Sequence, residues 1–149
     1  MSKILLINGP NLNLLGTREP EIYGRQSLEE IEQELADRAA AKKIEIESYQ
    51  SNSEGDLISR IHDCAEAKIK IVIINPGAFS HTSIALRDAF LATDVPFIEV
   101  HISNIFSREE FRRHSFLSDI AVGVVAGFGI SSYRLGLDAA ITYLKNKKN

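Results

Sequence analysis

Ile69-Lys70-Ile71-Val72-Ile73-Ile74, near the middle of the chain, is a strand-sized run whose last four residues are all apolar. A strand with apolar side chains at consecutive positions has no solvent-facing side and belongs in the centre of a sheet covered on both faces. Outward from it, runs of similar size bounded by turn residues recur at Ile4 to Ile7, Ile44 to Tyr49, Phe97 to Ile102 and Ile120 to Ala126. Ile44-Glu45-Ile46-Glu47 alternates, as an edge strand should. Between the runs the apolar spacing is helical: Leu28, Ile31, Leu35 and Ala39; Leu57, Ile58, Ile61 and Ala65; Ile84, Leu86, Ala89 and Phe90. A last helix is expected from about Ser131 to Lys145, with Tyr133, Leu137, Ile141 and Leu144 on one stripe. Ser27 with Glu30, Ser53 with Asp56 and Ser107 with Glu110 mark three helix starts, because serine and the acid three residues on satisfy orphan backbone donors.

Strand followed by helix five times over implies a mostly parallel sheet with helices on both faces. The predicted fold class is therefore α/β: a flavodoxin-like, five-stranded parallel sheet in the order 2-1-3-4-5. With 149 residues, 44% hydrophobic and 25% charged, the chain has the size and composition of one compact domain, residues 1–149, without repeats or linkers. A formal charge of -3 gives no footprint for nucleic acid, and the Lys145, Lys147, Lys148 tail reads as a solvated helix end. The single cysteine, Cys64, excludes an intramolecular disulfide and reads as a small buried hydrophobe. The start, Met1 to Gly9, lacks the apolar stretch of a signal peptide, and no run reaches the roughly 18 apolar residues of a membrane span. No membrane association is expected, and the reducing cytoplasm is the expected compartment.

In open α/β sheets ligands bind beyond the carboxyl ends of the strands, where this sequence is unusually polar. Glu99 and His101 lie two apart on the fourth strand, so both side chains leave one face, and a carboxylate beside an imidazole fixes its tautomer and holds its proton. That pairing is an acid-base arrangement. A surface pair on an edge strand is its bland counterpart, and the fourth strand of such a sheet is rarely exposed. Arg18 and Tyr23 share the long loop from about Gly9 to Arg25, where an arginine near a phenol favours the phenolate; a tyrosine packing its ring on the surface fits the spacing equally well. In Asn75 to Ser83, small residues at a strand-to-helix turn, with Thr82 or Ser83 as N-cap, offer backbone N–H groups to a carboxylate or hydroxyl, flanked by Asn75 and His81. A turn that only caps its helix has the same pattern. Nucleotide-phosphate, dinucleotide and zinc-protease motifs are absent, and no lysine sits where the first, third or fourth strand ends, so a Schiff-base mechanism lacks its amine. His62 and His114 read as structural or solvated.

Taken together, Ile7 to Gly16, Arg18 to Gly24, Gln50 to Gly55, Asn75 to Ser83 and Glu99 to Asn104 resemble the type II 3-dehydroquinate dehydratases. Arg108 to Ser115, Gly127 to Gly129 and Tyr133 to Gly136 extend the likeness to about residues 3–144. The resemblance implies a flavodoxin-like, cofactor-free lyase that removes water from 3-dehydroquinate to give 3-dehydroshikimate in the shikimate pathway, assembled as a dodecamer of four trimers. It implies Tyr23 as the base, Arg18 as its electrostatic support, and His101, with Glu99, as the acid. Asn11 would lie near the enolate. Substrate contacts carried over are Asn75, His81, Asp88, Ile102, Ser103 and Arg112, with Asp88 reaching a neighbouring subunit and Arg108 supporting the site. Phe79 and Ser80 stand where tyrosine and threonine are more usual, and Ile130-Ser131-Ser132 differs from the commoner Pro-Asp-Ser. The loop bearing Arg18 and Tyr23 is expected to close over the substrate. The rivals are a non-catalytic flavodoxin-like binding module, which lacks its phosphate loop here, and a receiver-type signalling domain. The latter requires acids and a lysine where this chain has Asn8, Asn75 and Gly127.

Overall fold

The computed structural model describes residues 1–17, 19, 21 and 24–148. Five strands, β1 (Ser2–Asn8), β2 (Ile44–Gln50), β3 (Ile69–Asn75), β4 (Phe97–His101) and β5 (Gly123–Ala126), form one parallel sheet in the order β2-β1-β3-β4-β5. The helices are α1 (Leu28–Ala40), α2 (Glu54–His62), α3 (Ile84–Thr93) and α4 (Ser131–Lys148). The alternating strand is at the edge and the continuously apolar one in the middle, as their patterns predict.

Burial follows the period of each element. Ile4, Leu6, Ile71, Ile73, Ile98 and Val100 pack under α1 and α4, through Ile31 and Leu35 from the one and Tyr133 and Leu137 from the other. Their neighbours Leu5, Ile7, Val72, Ile74 and Phe97 pack under α2 and α3, against Leu57, Ile61, Leu86 and Phe90. Alternation on β4 then places Glu99 and His101 on the Phe97 side, in the layer of α2 and α3. Ser27 and Glu30 close the expected capping box, Ser53 caps α2 through Asp56 N–H at 3.2 Å, and Ser83 caps α3 through Leu86 N–H at 2.9 Å. Each such cap contributes about 1 kcal/mol.

One element and several boundaries differ from the sequence reading. No α-helix lies between β4 and β5. Ser107 and Glu110, expected to open one, instead belong to separate short 3-10 turns, Ile105–Ser107 and Glu110–Arg112. The Ser107 hydroxyl donates back to Asn104 O at 3.0 Å, and Phe106 and Phe111 remain 60% and 68% exposed. The residues from Ile105 to Arg113 bury Ile105 but offer no apolar stripe at helical spacing for a helix to bury. A third turn, Ser118–Ile120, delays β5 to Gly123, β4 ends at His101, and α2 stops at His62 rather than running on to Ala65.

The register sets the site. Asn8 is level with Gln50 on one side and Asn75 on the other, so the carboxyl ends of the three strands coincide where the chain direction of travel switches from β2 to β3 about β1.

Candidate active site

Beyond these strand ends lies a cleft floored by Asn75 and His101 and walled by the turns that follow β1, β3 and β4. Two glycines let the first two turns meet. A Cβ on Gly9 would stand 2.4 Å from Pro76 O, and Gly77, at φ +58°, lies against Pro10 O. The β1 turn is pinned further by Gly9 N–H to Asn75 O at 2.8 Å, Gln50 Nε2 to Gly9 O at 3.1 Å, and Asn11 N–H to Asn52 Oδ1 at 3.0 Å.

Glu99 is 0% and His101 4% exposed, with His101 Nε2 2.5 Å from Glu99 Oε2. Burial is the largest influence on the Glu99 carboxyl and disfavours its charge. The hydrogen bond and charge of His101, with hydrogen bonds from Ser118 and Ser115, outweigh it and hold the group below the usual carboxylate range. Glu99 is therefore ionised and accepts only, which makes His101 Nε2 a donor. Nδ1 is left as the imidazole nitrogen available to the cleft.

His81 stacks across the cleft from His101, with ring centroids 6.2 Å apart. Burial, foremost, and the nearby charges of His101 and Arg112 push its imidazole below the ordinary value, against the opposing hydrogen bond to His114 O. The neutral ring donates Nδ1–H to that carbonyl at 2.7 Å, so Nε2 carries the lone pair. One neutral imidazole and one carboxylate-bound imidazole thus share the floor of a single cleft.

Asn75 is fixed as well. Its Oδ1 accepts from Gly77 N–H at 3.1 Å, and its Nδ2 donates to Tyr133 Oη at 2.9 Å. Tyr133 in turn donates to Asn8 Oδ1 at 2.6 Å. Burial holds the Tyr133 phenol well above its normal pKa, so it stays a neutral donor in this chain. The N–H of Gly77 is therefore occupied by Asn75 rather than free for a ligand.

The structure brings together Asn11, Asn75, His81, His101, Ile102, Ser103 and Arg112 around the cleft, with Glu99 directly behind His101. Arg108 also lines it and reaches Ser103 Oγ at 3.3 Å, while Arg112 is paired with Glu109 at 3.1 Å. Asp88 is exposed on α3, away from the residues that line the cleft of this chain. Arg18 and Tyr23, and the closing movement expected of their loop, lie outside the described residues. Sequence reasoning missed the roles of Asn8 and Tyr133 behind Asn75, and of Ser115 and Ser118 behind Glu99. A usable signal existed: a buried tyrosine hydroxyl and a buried carboxylate both require hydrogen-bond partners.

Chemically, the cleft offers an imidazole backed by a carboxylate, a neutral imidazole acceptor, two carboxamides and two arginines, a set suited to a small, oxygen-rich, anionic molecule. Residues 2–141 match the family model described as dehydroquinase class II. The chain is 59% identical over 145 residues to a 3-dehydroquinate dehydratase of Prochlorococcus marinus strain MIT 9515, covering 97% of this chain and 99% of that one. A 3-dehydroquinate dehydratase of Teredinibacter turnerae is 55% identical over 148 residues, 99% of this chain and 96% of that one. The crystal structure of a type II dehydroquinase from Butyrivibrio crossotus superposes with a TM-score of 0.90 at 42% identity, over 93% of this chain and 96% of that one.

Proposed function

The chain belongs to the class II dehydroquinase family, and from that premise we propose that it converts 3-dehydroquinate to 3-dehydroshikimate and water by enolate chemistry. It is a hydro-lyase of the shikimate pathway. In the proposed mechanism the Tyr23 phenolate, supported by Arg18, removes the proton next to the ketone. The electron pair moves to the carbonyl oxygen, where Asn11 and its neighbouring backbone meet the enolate. Collapse of the enolate expels the β-hydroxyl, which takes a proton from His101 Nδ1 and leaves as water. A proton moved from Tyr23 to His101 through solvent resets the site.

The observation that carries this reading is the Glu99–His101 pair. Expulsion of hydroxide is slow and expulsion of water is fast, so the reaction needs an acid aimed at the leaving oxygen. With both ring nitrogens protonated, an imidazole tied at Nε2 to a buried, ionised carboxylate and open to the cleft at Nδ1 is such an acid. His81 Nε2 is suited to accept from a substrate hydroxyl, while Asn75, Ser103 and the backbone of Ile102 offer donors to its carboxylate and hydroxyls. Arg112 would bind ring hydroxyls on exchanging Glu109 for substrate. Asp88, exposed on α3, is assigned to the site of a neighbouring subunit, in a dodecamer built from four trimers. Among the described residues no helix is long and apolar enough to cross a membrane. The compartment proposed with this function is the cytoplasm.

The test is ultraviolet absorbance of the conjugated enone on mixing the protein with 3-dehydroquinate. Wild-type protein should give growth that chelator and borohydride leave intact, and Tyr23→Phe should lower kcat by about a hundredfold or more. Wild-type protein, folded and assembled, that gives no enone would overturn the proposal.

A further inference from the structure

We infer that Ser115 and Ser118 are positioning residues for the acid end of the site, acting on His101 through Glu99; the inference rests on the dehydratase reading above. Glu99 engages both oxygens with directed donors. Oε2 accepts from His101 Nε2 and from Ser115 Oγ at 2.8 Å, and Oε1 accepts from Ser118 Oγ at 2.7 Å. The Ser115 hydroxyl itself accepts Leu117 N–H at 3.1 Å, which leaves its one proton for Glu99. Glu99 is wholly buried, so with both serines removed His101 is the one side chain among the described residues left to donate to it.

The serines sit on a segment that also registers the other imidazole. His114 O receives His81 Nδ1–H, Phe116 N–H donates to Ser80 O at 2.8 Å, and Arg87 Nη1 donates to Phe116 O at 2.9 Å. Residues 114–118 therefore fix His81 and the Glu99–His101 pair against each other.

Removing the serine donors concentrates negative charge on Glu99 and raises the pair's affinity for a proton. The shared proton then sits closer to the carboxylate, and His101 becomes a weaker donor to the leaving hydroxyl. The other charged or titratable groups around the pair are His81 across the cleft, Arg112 and Arg108 from the turns after β4, and His114 with the Arg87–Asp119 pair behind the serine segment. None of them changes in the serine variants.

The experiment is kcat and KM against pH for Ser115→Ala, Ser118→Ala, the double variant, and the Thr replacements. In the double variant kcat should fall about tenfold to a hundredfold with KM within about threefold of wild type. The alkaline limb of kcat should move to higher pH, and Thr at each position should restore both. A second readout needs no turnover: the downfield proton of the His101 Nε2–H to Glu99 hydrogen bond in proton NMR should shift in each Ala variant. If the double variant does not fold, Ser118→Ala alone, at the half-buried serine, provides both readouts. A folded variant with an unchanged pH profile and an unchanged downfield proton overturns the inference. A wild-type chain inactive toward 3-dehydroquinate overturns the dehydratase reading instead, and the NMR signal still decides the role of the serines.

Discussion

Glu99→Gln is the substitution for which the structure dictates the most detailed outcome. The amide is isosteric, and one orientation of it suits the pocket: its oxygen at the Oε2 position, still accepting from His101 and Ser115, and its NH2 at the Oε1 position, facing Ser118. Ser118 is half-buried and its hydroxyl is free to turn and accept, whereas Ser115 is locked by Leu117 N–H. Packing is thus kept, and the loss is electrostatic. A hydrogen bond to a charged partner contributes about 1.5–3 kcal/mol and a neutral one about 0.5–1.5, so the imidazolium loses roughly 1.5 kcal/mol of support beyond its bare hydrogen bond. That corresponds to a kcat about tenfold lower, with KM little changed, because Glu99 does not line the cleft. The assay is steady-state enone formation from 3-dehydroquinate across pH, beside thermal unfolding of the variant. A folded Glu99→Gln protein with kcat within twofold of wild type would refute the idea that His101 depends on an ionised Glu99.

Tyr133→Phe leaves Asn8 Oδ1 and Asn75 Nδ2 without their shared partner, so stability should drop by about 1–3 kcal/mol, and KM should rise more than kcat falls as the Asn75 carboxamide loosens; thermal unfolding and steady-state kinetics check both. Gly9→Ala forces a Cβ against backbone rather than a yielding side chain, and should cost at least about 2 kcal/mol while weakening substrate binding, read from denaturant unfolding and KM. Glu34, hydrogen-bonded to Arg134 foremost and to Gln26, and paired with Arg38, has its carboxyl pulled down to about 2. A carboxyl depressed on folding stabilises the protein above its unfolded pKa, about 4.3, and this contribution is lost as pH falls toward 2. On this partly exposed pair it amounts to no more than about 1 kcal/mol, and Glu34→Gln should flatten unfolding free energy over that window.

The sheet order was legible because burial on two faces and burial on one leave different marks: Ile71 to Ile74 against Ile44 to Glu47. Glu99 and His101 were legible because their spacing on a strand leaves no choice of face. The segment after β4 was not, because Ser107 and Glu110 satisfy a local capping rule whose helix then lacks anything to pack against. The supporting hydrogen bonds were hidden by separation along the chain. Ser115 and Ser118 lie 16 and 19 residues from Glu99, and Tyr133 lies 125 from Asn8. In the sequence Tyr133 is indistinguishable from its apolar stripe, and only the fold brings its hydroxyl to the ends of β1 and β3.

The division of labour between base and acid is tested most directly with His101→Ala and 3-dehydroquinate in deuterated water, following exchange of the proton next to the ketone and enone formation together. With Tyr23 as base and His101 as acid, the variant should still exchange that proton while forming enone at a rate reduced by about a hundredfold or more. Enone formation at the wild-type rate, or loss of exchange in a folded protein, would contradict the assignment of His101 as the acid.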